Sequence, residues 1–154
     1  MNHYLTLVKK FHETFKAPVL ETPQIPSKDR CELRINLLQE ELDELKKAIN
    51  DNNLVEVLDA CGDICFVLMG AIHEFGLGNI FDEAFDEIQR SNMSKACNSE
   101  EEALQTVQYY IDRDGTESHI EKVGEKWMVY RSIDNKVLKN VNYSPADLAK
   151  ILEK

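Results

Sequence analysis

The stretch LLQEELDELKKAINDNNLVEVLDACGDICFVLMG, residues 37–70, decides the fold. Its apolar residues recur every three or four positions on both sides of Asn50-Asp51-Asn52-Asn53. That pattern predicts two helices joined by a short turn. Followed outward, the helices cover about 28–50 and 53–75, and Gly76 and Gly78 end the second.

On a helical wheel at about 100° per residue, Cys31, Ile35, Leu38, Leu42, Leu45 and Ile49 form one narrow stripe, the expected core face of the first helix. Glu40, Glu41 and Glu44 share a different face with Leu33, Leu37 and Ala48. In the second helix Leu54, Leu58, Cys61, Cys65, Leu68 and Ile72 form the expected core stripe. Glu56, Asp59 and Asp63 lie together on the opposite side, flanked by Val57, Ile64, Phe66, Val67 and Met69. A helix apolar nearly all round is expected to be buried on more than one side. Its three carboxylates are then expected to look into the protein.

Carboxylates clustered away from water take up protons or bind cations. No Lys or Arg of the two helices clearly points at this group, and oxygen-only ligands suit Mg²⁺ or Mn²⁺. The competing reading, strongest for Glu40, Glu41 and Glu44 taken alone, is a solvated acidic face. The joint placement of six carboxylates on two adjacent helices favours metal.

The rest of the chain sets the context. Tyr4, Val8, Phe11 and Phe15 predict a helix over 3–16. Pro18, Pro23 and Pro26 predict an extended loop. A further helix is expected over about 79–90, running into SNMSK. Ser99 and Glu102 make a capping box for a helix over about 100–112. Two strands are expected at 117–123 and 126–131 around Gly124, with a short one at Val137-Leu138. Ser144-Pro145 is expected to open a last helix with Asp147 nearby. The reading is a mainly α chain: a helical body over 1–95 and a small α+β extension over 96–154.

There are 28 acidic against 18 basic residues, a net charge of −10, which argues against nucleic-acid or anionic-membrane binding through bulk charge. The most apolar run, Ile64 to Ile72, is too short to span a bilayer. The opening MNHYLTLVKKFHETF lacks a basic start followed by an apolar run, so a cytoplasmic protein is expected. Cys31, Cys61, Cys65 and Cys97 contain no C-x-x-C pair and are expected to be reduced and packed as small apolar groups. His3, His12, His73 and His119 show no ligand spacing and are expected to be structural.

E-E-L-D-E at 40–44, E-V-L-D at 56–59 and Asp63 resemble the E-E-x-x-E…E-x-x-D signature of the all-α nucleoside triphosphate pyrophosphohydrolases, the MazG-like proteins and the related phosphoribosyl-ATP pyrophosphohydrolases. FDEAFDEIQRSNMSK at 81–95 and the closing segment 134–152 are similar to further family elements. The resemblance implies a helical bundle, commonly a homodimer or homotetramer, that cleaves a nucleoside triphosphate between the α and β phosphates to give a monophosphate and pyrophosphate. It implies Mg²⁺ held by Glu41, Glu44, Glu56 and Asp59, with Asp63 as a further ligand or nucleotide contact. Glu40 is the implied group that orients or deprotonates water. Arg90, Asn92 and Lys95 would meet the phosphates or base, with Lys136, Lys139 and Tyr143 near the site. Two departures stand out. Residues 97–131 have no place in the minimal pattern, and Asn135 stands where the family has glycine. The rival readings are phosphoribosyl-ATP cleavage and a non-catalytic metal-binding helical dimer.

Overall fold

In a computed structural model of the chain, residues 3–153 are described; the outermost positions of the expected 1–95 and 96–154 segments lie outside them. The chain is mostly helical with one small sheet. The helices are α1 (His3–Phe15), α2 (Lys28–Asn50), α3 (Leu54–Glu74), α4 (Phe81–Met93), α5 (Glu100–Asp114) and α6 (Ala149–Leu152). Strands β1 (Ser118–Val123) and β2 (Lys126–Arg131) follow α5. Two compact units divide the chain, residues 1–82 and 83–154. Among the described residues no helix is long and apolar enough to cross a membrane.

In the first unit α2 and α3 form a helical hairpin and α1 packs on α3. The turn works because Asn52 adopts a left-handed backbone (φ 51°), which asparagine tolerates. Asn53 then caps α3, its side-chain oxygen accepting from the backbone N–H of Val55 at 3.2 Å. The hairpin seam is lined by small and medium residues, with Ala48 and Ala60 both buried.

The deepest feature of this unit is polar. The Glu74 carboxylate, 1% exposed, accepts hydrogen bonds from Arg30 Nε at 2.9 Å and Arg34 Nε at 2.9 Å, and pairs with both guanidinium Nη2 atoms. His12 donates from Nδ1 to the Pro18 carbonyl at 2.8 Å, which leaves Nε2 to accept from Arg34 at 3.4 Å. His73 donates from Nε2 to the Leu5 carbonyl at 2.8 Å. This network ties α1, α2, α3 and the proline loop together. Removing one partner of such a buried pair costs about 3–5 kcal/mol, because it strands a charge. Gly70 makes room for it: a Cβ there would stand 2.8 Å from Arg34 Nη1 and 2.9 Å from His12 Nε2.

On α1, a helix as its spacing predicts, the buried residues are Leu5, Val8 and His12, whereas Tyr4, Phe11 and Phe15 are exposed. The expected core faces of the next two helices are corrected. On α2 the expected core stripe is exposed at Ile35, Leu42 and Ile49. On α3 Leu54, Leu58, Cys61, Cys65 and Leu68 are exposed, and of that stripe only Ile72 is buried. The reason is geometric. Each helix of a hairpin buries one face against its neighbour, and that face here carries Ala48, Ala60 and the half-buried Val57, Ile64 and Val67.

In the second unit α5 packs on the antiparallel β1–β2 hairpin over a core of Cys97, Ala103, Tyr110, Val129 and Leu138, with Trp127 against it. Ser99 caps α5 as expected, accepting from Glu102 N–H at 3.2 Å. The Glu102 side chain accepts from Asn98 N–H at 2.5 Å, and from the amides of Asn140 (2.9 Å) and Asn142 (2.7 Å). One buried carboxylate thus pins the closing segment to α5. Val137 bridges to Tyr130, so the expected short strand is a single bridge. Asn135 has φ 55°, a left-handed backbone that glycine and asparagine both tolerate. The last helix is shorter than expected, because Ser144 and Pro145 bind elsewhere: Ser144 Oγ accepts from Arg90 at 3.0 Å and Pro145 O at 2.9 Å.

Candidate functional site

The hairpin carries Glu40, Glu41 and Glu44 on α2 and Glu56, Asp59 and Asp63 on α3. Glu41 is half-buried, about two helical turns from each of the buried Arg34 and Ala48 and so on their face of α2. Burial pushes its carboxyl pKa up, and the charges of Asp63, Glu44, Glu40 and Asp59 push it further in the same direction. The structure therefore brings acids of both helices within electrostatic reach of one another. Glu56, Asp59 and Asp63 line one open depression on α3 together with Val55, Leu58 and Gly62.

The expectation that these groups look into the protein is corrected. Glu40, Glu44, Glu56, Asp59 and Asp63 are exposed, and only Glu41 is partly sheltered. Five of the six carboxylates, two on α2 and three on α3, therefore stand in water. Among the described residues none of the six forms an ion pair with Lys, Arg or His. The buried Arg34 and the partly exposed Arg30 are both committed to Glu74.

The donor set is all carboxylate oxygen, which fits a hard divalent cation such as Mg²⁺ and disfavours zinc or copper. Among the described residues no three His, Cys, Asp or Glu side chains close around a single point. The like charges of Asp63, Glu44, Glu40 and Asp59 that raise the Glu41 pKa are charges that a cation would offset.

The other predicted contacts belong to the second unit. Arg90 is partnered there: its Nε and Nη2 donate to Glu87 at 2.7 and 2.8 Å, and it also binds Ser144 and Pro145, its side chain staying partly exposed. That hydrogen bonding, with the Asp147 N–H, holds the Glu87 carboxyl at a pKa of about 2. Lys95 donates to Asn92 Oδ1 at 2.8 Å. Lys139 Nζ lies 4.4 Å from the Tyr143 ring centroid, and Tyr143 O–H shares a 2.8 Å hydrogen bond with Ser91 Oγ. Lys136 is exposed. Sequence reasoning passed over Arg30, Arg34 and Glu74. The available signal was two arginines one turn apart on one helix and a lone carboxylate at the apolar end of the next.

Comparison with known proteins adds two findings. The family profile of phosphoribosyl-ATP pyrophosphohydrolase matches residues 8–92, more than half of the chain. The matched span contains all six hairpin carboxylates, Arg90 and Asn92, and leaves Lys95, Lys136 and Lys139 outside. An uncharacterized protein of Acanthamoeba polyphaga mimivirus is 25% identical, in an alignment covering 95% of this chain and 94% of that protein.

Proposed function

The chain belongs to the phosphoribosyl-ATP pyrophosphohydrolase family, and from that premise we propose that it is a Mg²⁺-dependent nucleoside triphosphate pyrophosphohydrolase. It cleaves between the α and β phosphates and releases a nucleoside monophosphate and pyrophosphate. One observation carries this reading: Glu41 sits at the hairpin seam among four further carboxylates with no basic partner. Such a cluster is unfavourable by itself and favourable around a cation.

Glu41, Glu44, Glu56 and Asp59 would hold the ion, with Asp63 as a further ligand. Bound Mg²⁺ offsets the charge of a triphosphate and stabilises the charge that builds on the phosphoryl oxygens. Glu40, exposed beside the cluster, takes the proton of the attacking water. The water oxygen joins the α-phosphorus, and the α–β bridging oxygen leaves with pyrophosphate. Arg90, Asn92, Lys95, Lys136 and Lys139 are the proposed substrate contacts. A cation held by the carboxylate hairpin would also offset the chain's net charge of −10 toward a polyanion. We place the enzyme in the cytoplasm as a homo-oligomer.

The test is pyrophosphate release from a panel of ribo- and deoxynucleoside triphosphates and phosphoribosyl-ATP, with and without Mg²⁺. Turnover of triphosphates that needs Mg²⁺ and is abolished in folded Asp59→Ala supports the reading. Turnover of phosphoribosyl-ATP alone would replace the substrate, and full activity in both Glu44→Ala and Asp59→Ala would sink the site.

A further inference from the structure

The same helix that carries the hard oxygen donors carries soft ones on another face. Cys61 and Cys65 are both exposed and both free thiols. They stand one helical turn apart, at which spacing their Cβ atoms are about 5–6 Å from each other, so that both sulfurs reach one ion. Met69 follows at the same interval and lines the same groove. A methionine on a helix lies back over the preceding turn, which here is the turn of Cys65. The groove walls are supplied by Tyr4 and Leu7 of α1 and by Leu58 and Phe66 of α3. Phe11 packs edge-on against Phe66 at 5.2 Å between centroids and stiffens that wall.

Two thiols and a thioether in an apolar setting define a ligand class. No His, Asp or Glu lines this groove, so it offers nothing to Mg²⁺ and too few donors for tetrahedral zinc. Low-coordinate sulfur suits a soft d¹⁰ cation. We propose that Cys61 and Cys65, with Met69 as a weaker third donor, form a binding site for Cu(I). The ion enters as Cu(I) and leaves as Cu(I), and each thiol that ligates it releases its proton to solvent. The acidic depression shares Leu58 and Gly62 with this groove, so one helix presents neighbouring hard and soft sites that sort cations by ligand type.

The experiment is an anaerobic titration of the full chain with Cu(I) against a chromophoric Cu(I) chelator. The wild type is expected to withdraw a single tight equivalent, which excess Mg²⁺ does not displace. Cys61→Ser and Cys65→Ser are each expected to weaken it by more than about 100-fold, and Met69→Leu by about 10-fold, given how strongly even outer partners tune metal affinity. Cys31→Ser, remote from the groove, is expected to leave it unchanged. Circular dichroism checks that each variant is folded. A wild type that withdraws no copper, or a folded Cys61→Ser that binds as tightly as the wild type, overturns the proposal.

Discussion

Two ionisable residues of the first unit have opposite relations to their surroundings. Glu41 has a raised pKa, first from burial and then from Asp63, Glu44, Glu40 and Asp59. The folded chain therefore holds that proton more readily than the unfolded chain, and the ionised side chain opposes folding above its raised pKa. Glu41→Gln is expected to raise the melting temperature at pH 7 in chelator. Mg²⁺ at a hundredfold its Kd is expected to stabilise the wild type by about 2.7 kcal/mol, and Glu41→Gln is expected to lose most of that gain. Melting curves with chelator and with Mg²⁺ measure both, and a wild type indifferent to Mg²⁺ counts against the cation site. His12 has a lowered pKa: burial lowers it most, the Pro18 carbonyl pulls it back, and the Arg34 charge lowers it again, with Glu74 and His73 also facing the ring. A base with a depressed folded pKa stabilises fully above its unfolded value of 6.5, and that contribution fades as pH falls from there toward the folded pKa. Melting temperature followed from about pH 7.5 to 5 should fall more steeply in the wild type than in His12→Gln. Equal slopes would show that another group carries the titration.

At the scale of elements, α3 and the turn after it distinguish two glycines of the same unit. Gly62 is helical, and a Cβ there meets nothing within 4 Å. Gly62→Ala should stabilise by about 1 kcal/mol through helix propensity. Gly76 has φ +68°, and a Cβ there would lie 1.9 Å from the Thr22 carbonyl oxygen. Gly76→Ala should lose about 1–2 kcal/mol from the left-handed backbone alone, and more from displacing the proline loop. Denaturant melts of the two variants should shift in opposite directions; a shared sign would mean that the close approach at Thr22 is not maintained in solution. Element boundaries were legible because caps are local. Asn53 and Ser99 announce helix starts, and Gly76 and Gly115, both at positive φ, mark helix ends. The final helix misled because Ser144 and Pro145 answer to Arg90 rather than to their own neighbours.

For the whole molecule, the exposed apolar stripe of α2 is the feature that a single chain leaves unexplained. Ile35 is 66%, Leu42 49% and Ile49 60% exposed. Stripes of that kind on soluble proteins mark interaction surfaces, and a second copy covering α2 is the proposed arrangement. Sedimentation should show an oligomer for the wild type and a monomer for Leu42→Lys. A monomeric wild type at micromolar concentration would refute the homo-oligomer. The sequence by itself determined the helical periods, the capped ends, the strand pair after Gly115 and the six carboxylates on two consecutive helices, because each depends on spacing within a few residues. Which apolar stripe is buried, and whether the carboxylates meet the interior or water, was decided only by tertiary packing. A helix wheel records which residues share a face, but the neighbour that covers a face lies far away in the chain. Small residues let α2 and α3 approach along Ala48 and Ala60, and the larger stripes were left outward.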